Sequence, residues 1–422
     1  MAAAESSVRV LHLSFVVGGV LYDSAGERLG RVDDLIVRLE GEEYPPVSGV
    51  VADVAGRQVF VPITSISEIA EGRVALREQR MDLQHFQRRP GEILLRKDVL
   101  DRQVINIEGA RLVRANDIEL VRIDGRYRVV GVDVSLRGLM RRVVPHAFAD
   151  RIGTSEFVDW ASIEPFTGHV PTVRLRVPHP KLARLHAAQL ADLVEAASHR
   201  EGEEIIDAVR SDPDLEADLF EELEAQHQRE FVEDRSDEQI AELLGRMEAD
   251  DAVDLILGLP DERRDSVVAR PSPVQSRRVR TLLGYDPATA GGLMSPEFVC
   301  LYGEATREES LDRVRRSRVH ADGAAWVYAL TSHRRLRGGA PLADVIRADE
   351  GVRLADIVRP VPTVTVDTEL EEVARLMTDY DLTVVPVVGD SDVLIGIVTV
   401  DDVLELVLPE GWRRRFNILG GD

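Results

Sequence analysis

Three patterns of apolar and polar positions follow one another along the 422-residue chain. From about Phe15 to Phe166 the period is two. Short β-branched runs such as VSGVVADV, QVFVPI, RLVRANDIELVRI and YRVVGVDV are separated by Gly or Asp-Gly turns, which is how half-buried strands and their hairpins read. The apolar run VLHLSFVVGGVLY, Val10 to Tyr22, reads as the first strand of the set. Two similar halves are visible, YDSAGERLGRVDDLIVRL and VLDRQVINIEGARLVRANDIELVRI. Each has the plan strand, turn, long strand, strand pair. The pattern predicts two small β-barrels in tandem, or one barrel built from both, closed by FVDWASIEPF at Phe157 to Phe166.

Beyond Pro180 the period becomes 3.6. In KLARLHAAQLADLVEAA, Leu182, Leu185, Leu190, Leu193 and Val194 fall on one helical face. Helix-start signals then recur at Ser236-Asp237, Ala249-Asp250, Pro260-Asp261 and Ser272-Pro273. Between them lie the short amphipathic pieces EQIAELLGRM, DAVDLILGL and ERRDSVVA. Regular short helices with polar caps predict a superhelical stack that buries one stripe and offers the other to a partner.

From Gly291 to Pro409 the pattern alternates. TVTV, LEEVARLMTDY, VVPVV, VLIGIVTV and DDVLELVL read as strand, helix, strand, strand, helix. PEFVCLYG, EESLDRVRRSR, AAWVYAL, GGAP and LADVI repeat that order ahead of it. The expected organisation is therefore multidomain α+β. An N-terminal tandem β-barrel domain spans 1–170 and an all-α superhelical domain 178–284. A C-terminal α/β pair has modules at 290–350 (degenerate) and 355–410, and 411–422 form a tail.

Charge sharpens the middle segment. The net charge is −23, and between Glu201 and Glu262 there are 23 Asp and Glu against 4 Arg. Such a surface repels nucleic acid and anionic membrane and attracts cations or basic partners. A single cysteine, Cys300, rules out an intramolecular disulfide and points to a reducing cytosol. The Val10 to Tyr22 run is too short to span a bilayer and lacks the basic flank of a signal peptide. The sequence thus reads as a soluble, cytoplasmic chain without membrane insertion. No P-loop, G-x-S-x-G or HExxH occurs, and the ten histidines are dispersed, so catalysis is not expected.

The pattern from Leu21 to Asp33, with the Gly and Asp spacing of YDSAGERLGRVDD, resembles the opening of PRC-barrel domains. GYDPATAGGLMSPEFVCL, EEVARLMTDYDLTVVPVV and GIVTVDDVLELV resemble a CBS-domain pair and, more closely, the cytosolic region of MgtE-type magnesium channels. In that family an acidic helical N domain precedes the CBS pair. The resemblance covers roughly residues 180 to 410. Channel members continue from the last CBS helix into a membrane domain, whereas this sequence ends at Asp422 in LPEGWRRRFNILGGD. That ending, read with the N-terminal barrel, implies a sensor detached from its pore.

The resemblance implies Mg²⁺ held between the helical domain and the CBS pair. The matching positions are Asp250 and Asp254 in the helical domain, and Glu371, Asp381, Asp402 and Glu405 in the second CBS module. The residues themselves support this chemistry. Asp250 and Asp254, four apart, share a helix face, as do Asp402 and Glu405, three apart. Two carboxylates about 5 Å apart repel by about 3 kcal/mol at an effective dielectric near 20. A hard divalent ion with oxygen ligands reverses that sign, and a full two-state swing needs about 5.5 kcal/mol of differential binding. The plainer reading is helix capping, since Asp401 or Asp402 would cap the helix after the TV strand whatever the function.

CBS pairs also bind adenine nucleotides. Gly396-x-x-Thr399-x-x-Asp402 keeps that pattern, with Thr399 for phosphate, whereas the first module reads Gly338-x-x-Pro341-x-x-Asp344. Asp344 survives there, but Pro341 replaces a hydroxyl residue and Leu382 stands where an aromatic could stack on adenine. The resemblance further implies a homodimer through the CBS pair. The barrel is expected to dock a cation transporter or another protein, a ribosomal partner being the alternative, with no direct contact to nucleic acid.

Overall fold

The computed structural model describes residues 10–39, 42–79, 85–135, 156–166, 181–317, 319–321 and 323–408, with the side chain of Glu405 excepted. The expected tail, 411–422, lies outside the described residues. The chain divides into two compact units, Met1–Asp212 and Pro213–Asp422.

The first unit is strand-rich. β1 (Val10–His12), a helical turn α1 (Leu13–Val16), β2 (Val20–Tyr22), β3 (Arg28–Arg38), β4 (Val47–Val54), β5 (Arg57–Pro62), β6 (Ile66–Ala70), β7 (Arg73–Leu76) and β8 (Glu92–Leu94) form the first half. A five-residue helical turn (Leu95–Val99), β9 (Gln103–Asn106), β10 (Arg111–Arg114), β11 (Asp117–Ile123), β12 (Arg126–Asp133), β13 (Phe157–Asp159) and β14 (Ile163–Pro165) form the second. The largest sheet runs β5-β4-β3-β2-β7-β6 with β8 also on β3, and the others run β1-β11-β12-β13 and β10-β9-β14. Among the described residues no ladder closes on itself. VLHLSFVVGGVLY, expected as one strand, is broken into β1, α1 and β2. The break serves the other half of the unit.

The two halves exchange their leading segments. β1 pairs with β11 of the second half, and β8, which leads the second half, pairs with β3 of the first. The helical turns follow suit. Ser14 donates its N–H (3.1 Å) and hydroxyl (2.6 Å) to Asp117, while Arg96 and Lys97 donate their N–H groups to Asp34 at 2.7 and 3.0 Å. Asp34 and Asp117 are equivalent in the repeat, each followed by a residue whose N–H bonds the same carboxylate (Leu35, 2.7 Å; Ile118, 2.8 Å). Gly18 and Asp101, at φ 80° and 65°, make the equivalent left-handed turn after each helical segment. One core results, in which Leu13, Val16, Leu35 and Val50 pack with Leu95, Val99, Ile118, Leu120 and Trp160. Helices α2 (Ala187–Ala196) and α3 (His199–Val209) complete this unit, with Leu182, Leu190, Leu193 and Val194 buried as the periodicity predicts.

The second unit opens with a stack of short helices: α4 (Pro213–Glu222), α5 (Ala225–Glu233), α6 (Asp237–Leu244), α7 (Ala249–Gly258), α8 (Asp261–Val268) and α9 (Pro273–Leu282). Ser236 and Ser272 cap α6 and α9, accepting N–H bonds from Gln239 and Gln275, at about 1 kcal/mol per cap. The side-chain amide of Gln275 donates to the carbonyls of Leu244 and Met247 (3.2 and 3.1 Å), locking α9 onto the turn before α7.

Two modules of like topology follow. The first has β15 (Val299–Tyr302), α11 (Arg307–Arg316), β16 (Trp326–Leu330), β17 (Leu336–Pro341) and α12 (Leu342–Arg347), and the second has β18 (Val364–Thr365), α14 (Leu370–Tyr380), β19 (Val384–Val388), β20 (Leu394–Thr399) and α15 (Val400–Val407). The short turns α10 (Ala290–Leu293) and α13 (Leu354–Ile357) link them. In each the first two strands are parallel and the last two antiparallel. Tyr328, Leu330, Val384, Leu394 and Ile397 form a core shared by both modules.

The AGGLM segment fastens the helical stack to the second module. Ala290 and Gly291 donate to the carbonyls of Thr368 and Val366 (2.8 and 2.9 Å), and Ser295 exchanges two backbone bonds with Ile397. Glycine is required at this approach: a Cβ on Gly396 would stand 2.6 Å from the Met294 sulfur, and one on Gly292 2.3 Å from the Asp286 carbonyl oxygen.

Candidate functional site, an acidic seam in the second unit

Helix α7 begins with Glu248-Ala249-Asp250-Asp251, the N-cap and first turn, where carboxylates gain from the helix dipole. Gln275 fixes the turn before α7, AGGLM bonds to the second module, and Asp402 in the first turn of α15 comes within electrostatic reach of Asp250. Glu221, near the end of α4, completes the group. One of its carboxylate oxygens accepts the Glu248 N–H at 2.7 Å.

Burial pushes all four carboxyls of the helical stack upward. Glu248 is raised to about 7 by desolvation, opposed by His320 and reinforced by Glu221, Asp402 and Glu297. Asp250 and Asp251 stand well above the usual carboxylate range, through desolvation first. Asp402 and Glu248 then act on Asp250, and Asp250 and Glu221 act on Asp251. Glu221 is raised by burial against the pull of its amide bond. One oxygen of Asp250, Oδ1, is sealed from solvent with no hydrogen-bond donor. A buried carboxylate oxygen without a donor is costly, and here its neighbours are further carboxylates.

Two basic side chains approach this seam. His320 Nδ1 lies 3.2 Å from Glu248 Oε1, and Arg278 of α9 pairs with Glu297. Among the described residues no three of the seam's ligand atoms lie within 4.8 Å of one another. Mg²⁺ prefers oxygen ligands and gives up its waters reluctantly. The donor set, all hard oxygens with one orphaned and buried, fits that ion.

Of the positions the resemblance implied, Asp250 and Asp402 lie within electrostatic reach of each other. Asp254 sits one turn further along α7, exposed, in a groove of about 310 Å³ lined by Gln228, Arg229, Val232 and Leu257. Glu371 and Asp381 are exposed at opposite ends of α14, Asp381 as its left-handed C-cap at φ 51°. The side chain of Glu405 lies outside the described residues. Thr399 and Asp402 form a capping box: the Thr399 N–H and hydroxyl both donate to Asp402 Oδ2 (3.0 and 2.8 Å). The capping reading and the seam therefore coexist in one residue. Asp344 is half-buried on α12, 3.5 Å from Arg347 of the same helix. Glu221, Glu248, Asp251, Glu297 and His320 join this candidate site through the packing, and the sequence did not single them out.

A helical stack followed by two βαββα modules, with carboxylates facing across the join, defines a CBS-containing regulatory region. Residues 185–288 match the MgtE intracellular N domain and residues 354–409 the CBS domain. The magnesium transporter MgtE of Thermus thermophilus is 45% identical over 139 residues, 33% of this chain and 31% of the relative. The cytosolic domain of the Mg²⁺ channel MgtE, solved in complex with ATP, is 33% identical. It matches over 54% of this chain and 92% of its own, with a TM-score of 0.50. The soluble part of a magnesium transporter is 26% identical over 54% of this chain and 90% of its own, also at 0.50. Over these residues the chain belongs to the MgtE cytosolic family. The match spans about a third of the length of the curated MgtE relatives, and among the described residues no helix is long and apolar enough to cross a membrane.

Proposed function

We propose that this chain is a cytoplasmic, non-enzymatic Mg²⁺-sensing regulator, in which a divalent ion bound along the acidic seam holds the helical stack closed on the second CBS module. The observation that carries the reading is the buried Asp250 Oδ1, which has no hydrogen-bond partner, on a carboxyl that the charges of Asp402 and Glu248 act upon. Without a cation these carboxylates either take up protons or separate. With one they are bridged, and the two arrangements become a switch. Asp250 and Asp402 bind from the two sides, with Glu248, Asp251 and Glu221 behind them. Asp254, Glu371, Asp381 and Glu405 supply the remaining acidic positions of the family pattern. The switching parts are 178–284, 290–350 and 355–410, with a homodimer through the CBS pair. The strand-rich N-terminal region is a PRC-type barrel domain that passes the state of the switch to a cation transporter or other protein partner. The test is limited proteolysis of the intact chain over millimolar Mg²⁺. Protection that rises with Mg²⁺ supports the reading, and protection that is flat from chelator to saturating Mg²⁺ defeats it.

A second reading, adenine-nucleotide sensing through Thr399 and Asp344, is favoured by the ATP complex of the related cytosolic domain. In this chain the Thr399 hydroxyl donates to Asp402, so a phosphate would have to compete with that bond. A rise in melting temperature with ATP and none with Mg²⁺ would select this reading.

A further inference from the structure

The seam carries its own fixed cation. Arg278 projects from α9, a helix locked to the stack by Gln275. Its partner Glu297 follows Ser295, which is bonded through its backbone to Ile397 in the second CBS module. The pair therefore runs from the helical stack to the chain segment bound to that module, across the join that the acidic residues occupy. Glu297 belongs electrostatically to the seam, since its charge acts on Glu248. Both partners are partly shielded, with side chains 36% and 22% exposed. An arginine does not lose its proton in a protein, so this charge is present whatever the metal concentration.

We infer that the Arg278–Glu297 ion pair is a metal-independent latch on the seam, which sets how much divalent ion is needed to close it. The inference rests on the sensing role proposed above but makes a separate claim. A bridging ion supplies two charges when it is bound, and Arg278 supplies one permanently. The closed arrangement is thereby partly populated before any metal arrives. Removing the latch lowers that starting population, so the metal must make up the difference, and the titration moves without losing its end point.

The experiment uses the intact chain with hydrogen exchange at α7 and α15 as the readout, in chelator and over a titration of Mg²⁺ alone. A partly shielded ion pair corresponds to a two- to fivefold change, on the order of what exposed pairs give. Arg278→Gln is expected to raise seam exchange in chelator by about that factor and to move the Mg²⁺ midpoint upward by about the same factor, with an unchanged plateau. The reversed pair, Arg278→Glu with Glu297→Arg, is expected to restore both, and Arg280→Gln on the same helix to change neither. Exchange and midpoint both unchanged in Arg278→Gln overturn the latch, as does failure of the reversed pair to restore them. If Mg²⁺ leaves the wild type unaffected while Arg278→Gln still opens the seam in chelator, the latch stands and the metal-sensing reading falls.

Discussion

Asp34 in the first unit and Asp250 in the second are both carboxylates that burial pushes upward, Asp34 to about 7 and Asp250 well above its ordinary value. What opposes burial differs. Around Asp34 the next influences are three backbone N–H donors, of Arg96, Leu35 and Lys97, which favour the charged form. Around Asp250 they are two other carboxylates, Asp402 and Glu248, which disfavour it. The first arrangement is complete within the chain. It locks one half of a repeat to the helical turn of the other, and Asp117 does the same in return. The second sets carboxylate against carboxylate, and a proton or a cation would relieve it. A buried acid is thus structural or functional according to what surrounds it, and its shift alone does not tell which.

The contrast is broken most severely by removing a carboxylate from the complete arrangement. Asp34→Ala strands the N–H groups of Arg96 and Lys97, and Asp117→Ala strands that of Ser14. Each is expected to cost about 3 kcal/mol and to lower the melting temperature of the strand-rich unit whether or not Mg²⁺ is present. A calorimetric scan with no loss in either variant would remove the interlock from the account.

Acidity gives the next largest effect. Glu248 rises from 4.5 to about 7 on folding, so between those values the folded chain binds a proton that the unfolded chain releases. Stability from this group is fully present below its unfolded pKa and is lost as pH rises through about 7. Asp34 acts in the same direction. In chelator both units are therefore expected to melt lower at pH 8 than at pH 6. Mg²⁺ should recover the loss in the second unit and leave the first unchanged. Recovery in both, or in neither, would erase the distinction between them.

The smallest effect concerns Asp402, which serves as cap and seam residue together. Thr399→Val removes the hydroxyl half of the capping box and is expected to cost about 1 kcal/mol while the Mg²⁺ midpoint stays in place, because the Asp402 charge remains. A large midpoint shift would mean that the hydroxyl itself takes part in the site.

Much of this was legible in the sequence. The alternation in TVTV, VVPVV and VLIGIVTV gave the second module, and Ser236 and Ser272 marked helix starts that the structure keeps. Asp250 and Asp402 were identified from the family pattern, and the charge of Asp402 acts on Asp250. The strand exchange was not legible, because equivalence of the halves around Asp34 and Asp117 does not say which copy's leading segment pairs with which. The same holds for VLHLSFVVGGVLY, whose apolar continuity hides a helical turn held by an acid far along the chain. Glu248 and Asp251 read locally as ordinary helix-start acids. Glu221, Glu297 and His320 come from separate elements that only the packing around AGGLM and Gln275 brings together.

The central claim, that the seam is incomplete without a cation, is tested most directly by Asp250→Asn in the intact chain, melted at alkaline pH, where the seam carboxyls are charged, in chelator and again in saturating Mg²⁺. The amide keeps the shape, removes one charge and can donate to a neighbouring carboxylate. It forfeits a helix-dipole contribution of about 0.3–1 kcal/mol and relieves repulsion estimated at up to about 3 kcal/mol. The account predicts that the variant's second unit is stabilised by about 1 kcal/mol in chelator, and that most of the further gain the wild type shows on adding Mg²⁺ is lost. A variant that is less stable than wild type in chelator and gains as much from Mg²⁺ would contradict it.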